Sequence, residues 1–307
     1  MIMSGIRNVV PAIGRRQGTQ SYLSTAKRRV VAGLAATLVV LLGLSAFALS
    51  LSSTQALAQP KTPGNGAPKP TIVLVHGAWA DSMSWSGVIQ RLQNDGYTVL
   101  AAPNALSGLQ QDSEALSDLL HTIQGPIVLV GHSYGGAVVT DAAYGNPNVK
   151  ALVVVDGFLP AQGESVFQLT AAKPGSCLTS APQSDIFDAV PVPGAPAKDV
   201  DLYVKPAVFI SCFANGLSRT QAAIAEAAQR PLLASAGTDV SGPPAWQSIP
   251  TWDVIGTIDK VIPTAEQLFM AHRAKAHVTE IPAGHLSMVS QPAAVANVIE
   301  SAAQATA

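Results

Sequence analysis

A serine stands among glycines in the stretch Gly131-His132-Ser133-Tyr134-Gly135, directly after the apolar run PIVLV. A helical pattern of small residues follows, so Ser133 is predicted to lie on a sharp turn between a strand and a helix. Such a turn lifts the hydroxyl above the edge of a sheet, where it can attack an electrophilic carbon. The motif is short, so a structural glycine turn is the alternative to a nucleophile.

The base that such a serine needs is found in one of the later loops. A serine hydroxyl is a weak nucleophile at neutral pH, so it requires a histidine base, and the histidine requires a carboxylate to orient it. His285 lies in PAGHLSM, the loop after the last predicted strand, whereas His272 lies in a helical pattern and His277 begins a strand. We therefore predict that His285 is the base; a surface or capping histidine is the alternative.

Asp259 is the preferred candidate for the carboxylate. It follows the fifth predicted strand in GTIDKVIP, so it reaches the same sheet edge as Ser133. Asp156 follows the fourth strand and is the alternative, although it leads directly into an irregular segment. Asp253 lies in the middle of a strand and is a third candidate.

Two backbone N–H groups are needed to stabilise the negative oxygen that forms when a hydroxyl attacks a carbonyl. The residue after a nucleophile on such a turn supplies one of them, which makes Tyr134 the first candidate. The loop after the first strand, VHGAWADSMSW, supplies the other; we predict Ala78, with Trp79 next. A simple strand-ending turn is the alternative for this loop.

The elements that must position these residues alternate between strands and helices. Continuous apolar runs typical of strands buried on both faces occur at 71–75, 97–102, 126–131, 150–156, 251–257 and 277–282. Helical patterns occur at 84–94, 113–123, 134–144, 264–274 and 292–303. This alternation predicts an α/β fold with a mostly parallel sheet and helices on both faces.

The segment of about 157–245 breaks the alternation and is predicted to be an inserted cap, because a loop of this length needs structure of its own. It contains Cys177 and Cys212, which are the two cysteines of the chain. In an oxidising compartment two cysteines commonly pair, so we favour a disulfide; two independent buried thiols are the alternative. The histidines are scattered and the cysteines lie far apart, so no metal site is predicted.

The N-terminal segment 1–58 has the features of an export signal. It contains six basic residues and no acidic one, and an apolar run at 30–51 precedes Ala56 and Ala58. The protein is therefore predicted to be exported, to the periplasm or outside the cell. An uncleaved membrane anchor is the alternative, and it would be the only contact with a membrane. Segment 59–70 is rich in Pro and Gly and is predicted to be a flexible linker before the domain at 71–307.

The charge balance excludes a nucleic-acid partner. Without the six basic residues of the leader, 12 of the 18 basic residues remain against 19 acidic ones, a net charge near −7. A protein that binds nucleic acid would need a basic face.

Four segments, LVHGAW, GHSYGG, GTIDKVIP and AGHLSM, occur in the order typical of the α/β-hydrolase superfamily, which the chain resembles from about residue 71 onward. It is similar to small lid-bearing serine esterases, including the branch of plant methylesterases and hydroxynitrile lyases. Lyases of that branch carry threonine after the first-loop histidine and lysine after the catalytic histidine. Here Gly77 and Leu286 occupy those positions, which favours ester hydrolysis. Ser133 disfavours haloalkane dehalogenases and epoxide hydrolases, which use aspartate.

The resemblance implies hydrolysis of a small-molecule carboxylic ester through an acyl-enzyme, with no cofactor. The family's inserted cap falls in the irregular segment, and Trp79 and Phe158 are expected to line an apolar substrate pocket. The alternatives are the same triad acting on amide, thioester or carbon–carbon bonds or as a cofactor-free perhydrolase, and a non-catalytic binding module. The sequence indicates neither the particular substrate nor the oligomeric state.

Overall fold

The computed structural model describes residues 68–194 and 199–306. The predicted leader (1–58) and most of the predicted linker (59–70) lie outside the described residues, so export, like the choice between signal peptide and anchor, stays a prediction. Within the described part of the chain, no helix combines the length and the apolar character needed to cross a membrane.

Strands and helices alternate along most of the described chain. In chain order the strands are β1 (Thr71–Val75), β2 (Val99–Ala102), β3 (Ile127–His132), β4 (Val149–Val155), β5 (Phe187–Pro191), β6 (Val200–Val204), β7 (Leu232–Leu233), β8 (Thr251–Gly256) and β9 (His277–Ile281). The α-helices are α1 (Ser86–Asn94), α2 (Leu109–His121), α3 (Tyr134–Ala142), α4 (Val166–Ala172), α5 (Gln183–Ile186), α6 (Pro206–Val208), α7 (Arg219–Ala227), α8 (Ala234–Thr238), α9 (Thr264–Ala274), α10 (Ser287–Ser290) and α11 (Pro292–Ala305).

A parallel sheet of six strands, in the order β2-β1-β3-β4-β8-β9, forms the centre of the fold. Its strands are the six predicted apolar runs, so the prediction of a parallel α/β sheet is confirmed. Every residue of β3 is buried. Because successive side chains of a strand point to opposite faces, both faces of this sheet must be covered. Helix α1 packs against α11, and α2 packs against α3.

One predicted helix begins four residues earlier than its apolar pattern indicated. The prediction placed its start at Ser113, whereas α2 begins at Leu109. The Asp112 carboxylate accepts hydrogen bonds from the backbone N–H of Ser107 at 3.2 Å and from its hydroxyl at 3.1 Å. These contacts bind the preceding loop to the first turn of α2. That turn is rich in polar residues, so the spacing of apolar residues does not show where the helix begins.

The irregular segment between β4 and β8, which is the predicted cap, has secondary structure of its own. It contains helices α4 to α8 and a small antiparallel sheet in the order β5-β6-β7. The indole Nε1 of Trp79, in the loop after β1, donates to the carbonyl of Leu202 in β6 at 2.7 Å. The segment is therefore tied to the same sheet edge at which Ser133 lies.

Asp253, the third candidate for the carboxylate, is buried in the middle of β8 and does not contact His285. Neither of its oxygens has a hydrogen-bond partner among the described residues. Burial raises the pKa of Asp253 well above its ordinary value of 3.8. The folded state therefore binds a proton that the unfolded chain releases, and the free energy of unfolding falls as pH rises from about 4 through the raised pKa.

We expect Asp253→Asn to be more stable than the wild type at about pH 8, with an advantage that shrinks towards about pH 4, because the amide never has to hold a proton to remain neutral. Urea unfolding across this pH range measures the difference. Other buried carboxyls are common to both proteins and cancel in the comparison. A difference that does not vary with pH would contradict the assigned shift.

Candidate active site

Ser133 occupies the turn between β3 and α3 in a conformation that few L-residues adopt, with φ 52° and ψ −125°. Such a backbone is typically strained by about 1–3 kcal/mol, and the surrounding structure must hold it. The flanking glycines permit this packing. A Cβ at Gly131 would lie 2.4 Å from the carbonyl oxygen of Gly135, and one at Gly135 would lie 2.7 Å from that of Val75. The glycines thus allow β3, α3 and β1 to approach closely around the serine.

A chain of hydrogen bonds joins the three residues predicted to do chemistry. The Nε2 atom of His285 lies 2.9 Å from the Ser133 hydroxyl, and its Nδ1 atom lies 2.8 Å from Oδ2 of Asp259. All three side chains are buried. The structure therefore brings together a hydroxyl, an imidazole that can accept its proton, and a carboxylate that orients the imidazole.

Asp259 accepts hydrogen bonds with both of its carboxylate oxygens. Its Oδ1 accepts the backbone N–H groups of Val261 at 2.7 Å and Ile262 at 3.2 Å. Its Oδ2 accepts from Nε2 of Gln267 at 2.9 Å as well as from His285. Sequence reasoning missed Gln267. The available signal was an amide on the predicted helix directly after the acid loop, but many such residues face solvent.

Asp156, the alternative carboxylate, does not contact His285. Its Oδ1 accepts the N–H of Gly256 at 2.8 Å and its Oδ2 accepts the N–H of Ser287 at 3.0 Å. Burial, with a smaller contribution from the negative charge of Asp259, raises the pKa of Asp156 well above its usual range. Asp156 therefore connects the ends of β4 and β8 to the loop that carries His285.

His132, next to the serine, supports the backbone of the base. Its Nε2 lies 2.9 Å from the carbonyl oxygen of His285. A carbonyl can only accept, so Nε2 must carry the hydrogen. Burial lowers the pKa of His132 well below its usual range, which keeps the ring neutral. The sequence alone indicates no role for His132.

The two predicted oxyanion donors, Ala78 and Tyr134, line the same cavity as Ser133. Among the described residues, neither N–H group donates to a backbone carbonyl, whereas the N–H of Trp79 donates to Arg230 at 3.0 Å. Trp79, the next candidate, is therefore already occupied. The Tyr134 hydroxyl donates to Asp112 at 2.8 Å, a contact that the sequence did not reveal.

The predicted pocket residues Trp79 and Phe158 both line this cavity. The Trp79 indole stacks on Phe187 of the cap segment, with ring centroids 5.4 Å apart. Phe213, which sequence reasoning missed, lies edge-on to His285 with centroids 4.9 Å apart and also contacts Trp79. Aromatic side chains of the cap therefore exclude water from the imidazole. No group of His, Cys, Asp and Glu that could hold a metal ion occurs among the described residues.

A disulfide joins Cys177 and Cys212, whose Cα atoms are 6.1 Å apart. Both bonded segments contact the loop that carries Asp259. The backbone N–H of Cys177 donates to the carbonyl of Lys260 at 2.8 Å. The side-chain amide of Asn215 donates to the carbonyl of Ile258 at 2.6 Å. The disulfide thus links two parts of the cap that both contact the loop carrying Asp259.

We expect the double substitution Cys177→Ser and Cys212→Ser to lower the free energy of unfolding by about 3–4 kcal/mol, because it frees a long loop in the unfolded chain. The separation of the two cysteines is 35 residues. Denaturant unfolding with and without a reductant measures the loss. The reductant should destabilise the wild type by a similar amount and leave the double variant unchanged; an equal response of both proteins would refute the assignment.

Comparison with known proteins gives a curated sequence relative and solved structures of similar fold. The chain is 34% identical over 110 residues to a carbendazim-hydrolysing esterase of Nocardioides sp. (strain SG-4G). That match covers 32% of this chain and 46% of the relative, so this chain spans about half the length of the curated relative that it matches.

Solved structures are similar over most of their length. Polyneuridine aldehyde esterase has a TM-score of 0.64 at 20% identity, covering 76% of this chain and 99% of its own. Tomato methylketone synthase I has a TM-score of 0.64 at 19% identity, covering 78% and 100%. A pyrethroid hydrolase from Sphingobium faniae JZ-2 has a TM-score of 0.59 at 21% identity, covering 77% and 98%. At these identities the likeness is one of fold. A model of the alpha/beta hydrolase family matches residues 72–298, which is more than half of the chain, and the chain therefore belongs to the alpha/beta hydrolase family.

Proposed function

We propose that this protein is a serine esterase that hydrolyses a neutral carboxylic ester through an acyl-enzyme. The observation that carries the proposal is the chain from Ser133 to His285 to Asp259, with contacts of 2.9 and 2.8 Å. The name of the curated relative, a carbendazim-hydrolysing esterase, and the fold shared with polyneuridine aldehyde esterase support it.

In the first half of the reaction, the Ser133 oxygen attacks the ester carbonyl while Nε2 of His285 takes the hydroxyl proton. Asp259 accepts the hydrogen bond from Nδ1 and stabilises the imidazolium that forms. The N–H groups of Ala78 and Tyr134 donate to the negative oxygen of the tetrahedral intermediate. The intermediate collapses when His285 gives its proton to the leaving alcohol oxygen, and the acyl group remains on Ser133.

In the second half, a water molecule replaces the alcohol. His285 takes a proton from this water as its oxygen attacks the acyl carbon, and then returns a proton to the Ser133 oxygen as that oxygen leaves. One ester and one water thus become one acid and one alcohol. Leu286, buried directly after the base, places an apolar side chain where a lyase of the related branch carries lysine, which favours hydrolysis.

Two measurements on the purified protein test this function. It should hydrolyse 4-nitrophenyl acetate, and a fluorophosphonate probe should label Ser133, as identified by mass spectrometry of the labelled peptide. Unfolded protein is the control, since labelling depends on activation by His285. The absence of both turnover and labelling in folded protein would refute the proposal.

A further inference from the structure

The cavity at Ser133 is small and apolar. Its free volume is about 20 Å³, which is room for about one water molecule. Apart from the hydroxyls of Ser133, Tyr134 and Thr170, the side chains that line it are apolar, and none of them is charged. A substrate group that enters here must be uncharged, because no side chain at the cavity could pair with a charge.

A second and larger cavity lies behind one wall of the first. Its volume is about 210 Å³, and its lining includes no charged side chain. Phe167, Thr170 and Leu178 line both cavities. These three side chains therefore form the wall between the nucleophile and a mostly apolar space, whose lining also includes Thr179 and Gln183. The space is large enough for several methylene groups.

The geometry of ester attack determines which part of a substrate meets this wall. The carbonyl oxygen must face the N–H groups of Ala78 and Tyr134, and the leaving oxygen must face Nε2 of His285. The acyl chain must therefore extend from the carbonyl carbon away from both of these groups. No residue of the His285 loop lines the second cavity, so the wall lies on the side of the acyl chain and not of the alcohol.

Phe167 is packed tightly in this wall. It lies in α4, which packs against α8. A Cβ on Gly237 of α8 would lie 2.3 to 2.6 Å from three carbons of the Phe167 ring. The ring therefore rests directly on the backbone of α8, where only glycine leaves room for it. This packing limits how far the Phe167 ring can move towards α8.

We propose that Phe167 limits the length of the acyl group, and that the cavity behind it is a latent site for longer apolar acyl chains. The wild type then selects uncharged esters of short acids. This inference rests on the proposed esterase function and adds to it the class of acyl group accepted.

The test compares kcat/KM for 4-nitrophenyl acetate, butyrate and octanoate, which share one leaving group. In the wild type, kcat/KM for octanoate should be at least about tenfold below that for acetate. Phe167→Ala should raise the ratio of octanoate to acetate by at least about tenfold, since each methylene admitted to an apolar site is worth about a factor of four. Phe167→Leu, which keeps an apolar side chain in the fold, should give a smaller rise.

Ile224→Ala is the matched control. Ile224 lies on α7 and lines a different apolar cavity, on the side of Leu286 and Met288. Its truncation removes an exposed apolar side chain but leaves the wall intact, so the octanoate to acetate ratio should not change. Circular dichroism establishes that each variant is folded.

Two results would overturn the inference. The first is a wild type whose kcat/KM for the octanoate ester equals that for the acetate ester. The second is a folded Phe167→Ala or Phe167→Leu variant that is active on acetate with an unchanged ratio. Both leave the esterase function standing, because acetate is still hydrolysed. Loss of that function would instead appear as no turnover of acetate and no probe labelling in the wild type.

Discussion

Ser133→Ala is expected to lower kcat for ester hydrolysis by at least about 10⁴-fold, because the acyl-enzyme can no longer form and only binding and oxyanion stabilisation remain. The substitution removes a single oxygen, which contacts His285 at 2.9 Å. Alanine keeps the Cβ and accepts the same backbone turn. The loss of one hydrogen bond should lower the free energy of unfolding by about 1 kcal/mol.

Initial rates on 4-nitrophenyl acetate and the thermal midpoint of unfolding measure the two effects separately. Ser113→Ala is the matched control, because Ser113, in helix α2 and far from the imidazole in the sequence, is also buried and its hydroxyl donates to the carbonyl of Val138 at 3.4 Å. It should retain wild-type kcat. A Ser133→Ala variant that keeps more than about a hundredth of the activity would rule out the mechanism, since such a rate exceeds what the remaining groups supply.

Asp259→Asn is expected to lower kcat by about 10⁴-fold while leaving the chain folded. The single oxygen of the amide can still accept the N–H groups of Val261 and Ile262. The amide nitrogen would then face Nδ1 of His285 and donate to it, and the hydrogen bond from Gln267 would be lost. This hydrogen bond selects the tautomer with its hydrogen on Nε2, and that nitrogen can no longer accept the proton of Ser133.

Asp156→Asn is the informative comparison, since Asp156 is the other buried carboxyl at this sheet edge. It accepts N–H groups from Gly256 and Ser287 and has no contact with the imidazole. Unlike Asp253, Asp156 accepts a backbone N–H with each oxygen, so its replacement leaves one N–H without an acceptor. It should therefore lower stability by about 1–3 kcal/mol and change kcat by less than about 100-fold. Kinetics and denaturant unfolding of both variants measure these effects. If Asp156→Asn lost as much kcat as Asp259→Asn, the assignment of the acid would be wrong.

The two carboxyls show where sequence reasoning reaches its limit. Asp156 and Asp259 both follow strands that end at the same edge, so strand order alone left both open as partners of His285. The choice depends on which carboxylate lies within hydrogen-bond distance of Nδ1 of His285. The backbone after β8 turns so that the N–H groups of Val261 and Ile262 bind one oxygen of Asp259 and leave the other for the imidazole.

The contacts that support the site were hidden for a similar reason. Gln267, His132 and Asp112 are ordinary polar residues in the sequence, and nothing in their spacing marks them. Each acts through a hydrogen bond to a residue on another element, such as the 2.9 Å contact from His132 to the carbonyl of His285. Whether two such residues meet depends on how the elements pack, which no local pattern records.

The sequence by itself determined the parallel sheet, the turn that carries Ser133 and the order of a serine, a carboxylate and a histidine along the chain, because buried strands and glycine turns leave local patterns. Only the tertiary structure decided which carboxylate meets the imidazole and which aromatic side chains of the cap close over Ser133. These choices depend on distances between residues far apart in the chain. The wall formed by Phe167 is the clearest case, since it depends on a glycine that lies 70 positions later and in a different helix.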